Sequence, residues 1–249
     1  MTYGLGLFLE DGIVMTADTR TNAGVDHVAT VEKVAVFQKP GDRVMMLASA
    51  GNLATTQAVV TLLKQRFDQP GNPSNLAEAE SMFDATRMVG DVLREVMNNN
   101  AAYVQGYGDP TGSFLFAGQI AGGNRGGKHR LFLIYPAGNF IEATYDTPFL
   151  QIGEVKYGKP ILDRAMNHDV SLSEAVKLTL ISFDATVRSN LSVAPPFDMV
   201  IYRGDSLGPI SLRRISENDQ YFHLVRDTYG STIRELVRSI PLNTWEECQ

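Results

Sequence analysis

Thr2-Tyr3-Gly4-Leu5-Gly6-Leu7-Phe8-Leu9-Glu10-Asp11-Gly12-Ile13-Val14-Met15-Thr16-Ala17-Asp18-Thr19-Arg20 is the stretch on which the reading of this chain turns. Residues 5–9 are an apolar run that predicts a buried strand. Glu10-Asp11-Gly12 is a hairpin turn signal, and residues 13–17 predict the return strand. The first strand begins directly behind Met1. With Met1 removed, Thr2 would carry a hydroxyl nucleophile and a free α-amine on one residue. An α-amine has an unperturbed pKa of about 7.7–8.0, so much of it is neutral near pH 7 and able to take the hydroxyl proton. A threonine hydroxyl has no base of its own, and activation by the N-terminal amine is an established solution. The side chain of Thr2 is small, which suits removal of Met1 by a methionine aminopeptidase, and no long propeptide is expected.

Working outward, residues 33–37 and 43–49 read as a second strand pair around the turn signal Pro40-Gly41-Asp42. Gly51 opens a helical stretch to about residue 67, stopped by Gln69-Pro70-Gly71-Asn72-Pro73. Asn75-Leu76-Ala77-Glu78 has capping-box spacing. Behind it Met82, Phe83, Thr86, Val89, Leu93, Val96 and Met97 keep helical period to about residue 99. Strand-like runs follow at 113–120, 130–135 and 139–144, then a short helix over 155–166. Ser171-Leu172-Ser173-Glu174 is a further capping box, leading Ala175, Leu178, Phe183 and Val187 down one helix face. Residues 197–202 and 210–215 read as strands. The C-terminal part reads as helix interrupted at Gly230 and ending near Pro241. No linker or composition shift divides residues 1–249, so one domain is expected. Antiparallel hairpins with paired helices suggest helices on both faces of stacked sheets.

Composition narrows the function. Of 249 residues, 44% are apolar and 20% charged, as in ordinary globular proteins. There is no run of eighteen apolar residues to span a membrane, and no signal-peptide pattern at the start. The single cysteine, Cys248, allows no intramolecular disulfide, which suits a reducing cytoplasm. Four scattered histidines and one cysteine give no zinc spacing, so no metal is expected. A net charge of −6 argues against a nucleic-acid partner. Gly122-Gly123-Asn124-Arg125-Gly126-Gly127-Lys128-His129 approaches a phosphate-binding loop, but His129 stands where a magnesium-binding hydroxyl is needed. The segment lies between two strand-like runs, so a hairpin turn is expected, with no ATP site and no cofactor.

Thr2, Asp18, Arg20, Lys33 and Ala50-Gly51, in this order of strands and helices, resemble a proteasome β-subunit of the N-terminal-nucleophile hydrolases. The match runs through almost the whole chain. Leu150-Gln151-Ile152-Gly153 with Ile161-Leu162-Asp163 is similar to the segment where β-subunits carry Gly-Ser-Gly before a helix. Arg188-Ser189-Asn190-Leu191-Ser192, followed by Phe197-Asp198-Met199-Val200, is similar to their Arg-Asp-x-x-Ser and late strand. Thr21-Asn22-Ala23-Gly24, Lys39-Pro40-Gly41-Asp42-Arg43 and the stretch from Ser49 to Gln57 are most similar to the bacterial Anbu proteins, the ancestral β-subunits. The resemblance implies an α+β fold, a four-layer αββα sandwich with the nucleophile on the first strand. It also implies a homo-oligomer forming a ring or an open helical ring.

Carried onto this chain, the resemblance makes Thr2 the nucleophile and its own amine the general base. Lys33 would favour the deprotonated hydroxyl and lower the amine's pKa by like-charge repulsion. Asp18 would pair with Lys33, and Arg20 would support the same charged cluster. Gly51 would offer its backbone N–H to the oxyanion, and Ser192 would hydrogen-bond the amine. Thr21, Ser49 and Leu53 match positions lining the specificity pocket, whose walls would be small and apolar. Two departures stand out. Ser189 replaces the expected Asp, and Glu154 follows Gly153 where Gly-Ser-Gly is expected. The resulting expectation is hydrolysis of peptide or amide substrates inside a self-assembled particle, with any activator unnamed. The competing readings are a small-molecule amidase of the same mechanism and a non-catalytic scaffold that keeps the fold.

Overall fold

Alternation along the first hairpin sets the layering. In this computed structural model, which describes residues 2–22, 28–104, 108–122 and 127–241, β1 (Tyr3–Leu9) points Tyr3, Leu5, Leu7 and Leu9 into one core. The next strand, β2 (Gly12–Asp18), points Ile13, Met15 and Ala17 into another. A sheet apolar on both faces must be covered on both. Gly4 and Gly6 occupy the other face of β1. A Cβ there would stand 2.6 Å from Ile152 and 2.8 Å from Leu131, so the missing side chains let neighbouring strands close in.

The chain continues through a small ribbon of β3 (Arg20–Asn22) and β4 (Val28–Thr30). It then forms β5 (Val34–Lys39), β6 (Arg43–Gly51), α1 (Leu53–Arg66), a 3-10 turn (Leu76–Glu78) and α2 (Met82–Val104). There follow β7 (Gly112–Ile120), β8 (Arg130–Ile134), β9 (Phe140–Glu142), β10 (Phe149–Gly153), α3 (Lys159–Ala165) and α4 (Leu172–Ser189). The last elements are β11 (Phe197–Arg203), β12 (Arg213–Ile215) and α5 (Gln220–Ser239). One five-stranded antiparallel sheet has the order β10-β1-β2-β11-β12 and the other β5-β6-β7-β8-β9.

Between the sheets pack Ile13, Met15, Ala17, Met46, Ala48, Leu115, Ile152 and Val200. On the outer face of the first sheet, Leu162 of α3, Ala175 and Phe183 of α4, and Phe222 of α5 pack against β1, β2 and β11. On the outer face of the second, Val59 and Leu63 of α1 and Val89, Leu93 and Val96 of α2 pack against Met45, Leu47 and Phe116. The layers are therefore α3/α4/α5, sheet, sheet, α1/α2: the expected αββα sandwich. Each fully buried apolar side chain of this size contributes roughly 1.5–3 kcal/mol relative to exposure. The Ser171–Glu174 capping box of α4 forms as expected.

Several local expectations give way to tertiary context. Asn75 caps only the 3-10 turn. The long helix starts later, at Met82, with Ser81 accepting from the Asp84 N–H. Gly51 ends β6 instead of opening α1, which Asn52 caps through its bond from Thr55 N–H. The helix expected over 155–166 shrinks to α3 because residues 154–158 are taken up by the turn off β10. The strand expected at 210–215 is only β12. The exposed α5 runs through Gly230 without a break, since one helical glycine costs only about 1 kcal/mol. Strands β3, β4 and β10 carry too few periodic residues to be read from sequence. In the Gly-rich decoy, residues 123–126 lie outside the described residues, as do residues 23–27 and Cys248. The described end of that loop leads directly into β8, with His129 Nε2 2.7 Å from the Leu9 carbonyl.

Candidate active site

Thr2 is buried just ahead of β1, at the edge where the two sheets meet. Its neighbour Tyr3 donates its backbone N–H to Asp18 Oδ1 at 3.0 Å, a contact set by the register of the first hairpin, which pairs Gly4 with Ala17. The same Asp18 oxygen accepts from Lys33 Nζ at 3.0 Å. Lys33 lies just before β5, so this ion pair joins the end of a strand in one sheet to the start of a strand in the other. Both side chains are buried, at 5% and 0% exposure, and that depth decides their chemistry. Burial pushes the Asp18 carboxyl above its ordinary pKa, against the opposing pull of Lys33 and the Tyr3 N–H. Burial likewise lowers the Lys33 ammonium, against the pull of Asp18. The second Asp18 oxygen is buried without a hydrogen-bond partner among the described residues.

Lys33 also donates to the Arg20 backbone carbonyl at 2.5 Å. Arg20 thus joins the cluster through its main chain, while its guanidinium reaches away to donate to the Leu191 carbonyl at 3.0 Å. Ser49 braces the other side, its N–H donating to the Lys33 carbonyl at 2.9 Å. Tyr3 anchors β1 from below. Its buried hydroxyl meets Ser182 of α4 at 2.6 Å and accepts from Gln151 of β10 at 2.8 Å, and burial pushes its pKa up to about 12.

Gly51 ends β6 with φ +112°, and a Cβ there would stand 2.5 Å from the Thr111 carbonyl. Only glycine fits that conformation and that gap. Ser192 is half-buried in the loop after α4, where its N–H donates to Asn190 Oδ1 at 2.9 Å. A cavity of about 230 Å³ opens beside Lys33, with Ser49 and Leu53 among the residues that line it. Thr21 is placed elsewhere, on the ribbon strand β3. Glu32, Gln57, Thr61 and Lys64 add polar side chains to the same lining.

One side of the site was not legible as a unit. Glu154 is buried, and its backbone N–H donates to the Thr2 carbonyl at 2.7 Å. Its carboxylate accepts from Asn190 Nδ2 at 2.9 Å and from the Lys156 N–H at 3.2 Å. Glu154 stood out in the sequence only by its place after Gly153. Asn190 carried no signal, because its partner is 36 residues away.

A sheet pair covered by helices, with a threonine at the head of the first strand and a buried Asp–Lys pair beside it, defines a proteasome-type subunit. The proteasome-subunit family model matches residues 3–201, and the chain belongs to that family. Among solved structures it is similar to the Anbu complex of Pseudomonas aeruginosa, determined as a helical assembly. The identity is 44% over 97% of this chain and 98% of that one, with a TM-score of 0.91. It is likewise similar to Anbu, the ancestral β-subunit, from Yersinia bercovieri, at 43% identity over 97% and 98% of the two chains and a TM-score of 0.90. The Gly-1 mutant of Anbu from Hyphomicrobium sp. strain MC1 is 46% identical over 98% and 99%, with a TM-score of 0.88. No curated protein matches the chain.

Proposed function

We propose that this chain is a threonine-type amide hydrolase, acting on peptides as a single-domain subunit of a cytoplasmic homo-oligomer once Met1 has been removed. The observation that carries the proposal is the sharing of Asp18 Oδ1 between the Tyr3 N–H and Lys33 Nζ, which fixes a buried ammonium at the residue next to Thr2. In this mechanism Thr2 Oγ attacks the substrate carbonyl carbon, and its proton passes to the Thr2 amine. Lys33 stabilises the oxygen as it loses that proton. The oxyanion is taken up by the Gly51 N–H, a contact of a kind worth about 2.7–4 kcal/mol in a known protease. The C–N bond then breaks, and the departing amine leaves with the proton held by the Thr2 ammonium. Water attacks the resulting ester with the same amine as base, releasing the carboxylate and restoring the hydroxyl. Ser192 and the loop that carries it hold the amine. The cavity beside Lys33 receives the substrate side chain, with Ser49 and Leu53 at its inner wall.

The deciding experiment exposes the processed protein to a threonine-directed electrophile such as a β-lactone or an epoxyketone and maps the adduct by mass spectrometry. A covalent adduct on Thr2 supports the hydrolase. An unmodified Thr2 with a free amine would leave the fold serving assembly alone.

A further inference from the structure

Among the described residues, Glu154 is a buried carboxylate without a cation. Asp18 has Lys33, and the buried carboxylates of Asp184 and Asp198 have Arg188 and Arg214. Among the described residues no basic side chain lies within ion-pair distance of Glu154, whose contacts are Asn190 Nδ2 and the Lys156 N–H. A buried charge normally requires a partner of opposite sign.

The strand register shows where that partner would come from. β1 and β10 pair Gly4 with Ile152 and Tyr3 with Gly153, so the next step sets Glu154 opposite Thr2. The Glu154 N–H bond to the Thr2 carbonyl continues the ladder. Residues directly opposite on antiparallel strands share a face of the sheet, with Cβ atoms about 4.5–5.5 Å apart. The approach is close: a Cβ on Gly153 would stand only 2.0 Å from the Thr2 carbonyl oxygen. Asn190, itself buried, fixes the carboxylate through Nδ2 and uses its Oδ1 to accept from the Ser192 N–H. The charged side chains around this end are Asp18 from β2, Arg20 of β3, whose guanidinium donates to the Leu191 carbonyl in the loop after α4, Lys33 ahead of β5 and Glu154 after β10. The loop after α4 contributes the neutral Asn190 and Ser192.

We propose that Glu154 is a positioning residue whose carboxylate, oriented by Asn190, is the counter-charge of the Thr2 α-ammonium. It supplies the carboxylate that Ser189 cannot. The inference rests on Thr2 acting as the N-terminal residue, but not on any substrate being cleaved. An acid on this side opposes Lys33 on the other. Lys33 lowers the amine's proton affinity, Glu154 raises it, and the balance keeps the base within reach of neutral pH. The carboxylate also orients the amine toward the Thr2 hydroxyl.

The test measures the amine itself. The chain is produced behind a cleavable ubiquitin-like tag, so that proteolysis leaves Thr2 first. The Thr2 amine is then titrated from the midpoint of its acetylation rate against pH, read by mass spectrometry. The ¹³Cα resonance of Thr2 gives the same midpoint independently of reagent access. Glu154→Gln keeps an acceptor for Asn190 and removes only the charge. It should lower the midpoint by about one unit or more, so that acetylation on the acid side speeds up roughly tenfold. Asn190→Ala should shift it the same way by less, and Ser189→Ala should leave it in place. An unchanged midpoint in folded Glu154→Gln overturns the proposal. A shifted midpoint in a protein that forms no adduct at Thr2 sustains the proposal while defeating the hydrolase reading.

Discussion

Lys33 Nζ donates to the Arg20 carbonyl at 2.5 Å, so the ammonium is held by main chain on one side and by Asp18 on the other. An ammonium has three donors, and these two partners occupy two of them. In the proposed mechanism the third serves the Thr2 hydroxyl. The Arg20 guanidinium plays no part in the holding, because it is committed to Leu191.

Lys33→Ala should therefore reduce hydrolysis almost as far as loss of the nucleophile does. Lys33→Arg should restore a small part at best, since a planar guanidinium cannot repeat the compact geometry of an ammonium bonded to Asp18 and Arg20. Turnover of a fluorogenic peptide panel checks this. Retention of most of the activity by Lys33→Ala would remove the charge cluster from the mechanism.

Hydrolysis should follow a bell-shaped pH profile. The acid limb belongs to the Thr2 amine, which works only when neutral and titrates ordinarily at about 7.7–8.0. The alkaline limb belongs to Lys33. Its pKa is lowered by burial, so its positive charge is lost at lower pH than in an exposed lysine. A rate that stays flat up to the ordinary lysine range would separate Lys33 from the reaction.

The same burial makes the ion pair a poor contributor to stability. Lys33→Met leaves Asp18 buried without its cation, a change that typically costs about 3–5 kcal/mol. Adding Asp18→Asn, which retains an acceptor for the Tyr3 N–H, should recover most of that loss while leaving the protein inactive. The Asp18 pKa is raised in the folded state, so its protonated form favours folding, and that contribution is lost as pH rises through the folded value. The deficit of Lys33→Met should accordingly shrink on acidification. Thermal melts of the wild type and the two variants at two pH values measure both effects, and a deficit that grows toward acid would reverse the assignment.

Thr2→Ala should abolish amide hydrolysis without dissolving the particle, which should form without ATP. Ile233, Leu236 and Val237 on one side of α5, with Ile240 just behind it, leave an exposed apolar stripe, the kind of surface that a second subunit covers. Light scattering beside the peptide assay separates the two properties. A wild-type monomer at micromolar concentration would refute assembly, and undiminished hydrolysis by Thr2→Ala would refute the nucleophile.

The legible part of the site was the part written locally. Thr2 and Asp18 lie on one hairpin and Lys33 enters the next, an order that turn signals and alternation give, while their grouping was implied by the resemblance to proteasome β-subunits. The αββα layering followed from apolar residues on both faces of the strands and from two helix pairs. Glu154 and Asn190 meet only because β10 returns beside β1 and α4 ends above it, a long-range contact that leaves no periodic trace. Thr21, named from the same resemblance, lies on β3 and is not among the residues lining the cavity beside Lys33. At Gly230, propensity misled because α5 needs no single strong residue at an exposed position.

The Asp18–Lys33 bond also bridges the seam between the two sheets, where Ile13, Leu115, Ile152, Val200 and Tyr202 interlock with Met15, Met46 and the smaller Ala17, Ala48, Ala50 and Ala117. A close-packed joint of this kind transmits strain from one sheet to the other. Thr2 and Lys33 are thus carried by two separate sheets, and in the proposed mechanism their alignment depends on the filling between them. A volume change at Met46, between the sheets, should therefore shift Lys33 relative to Thr2 without touching either residue.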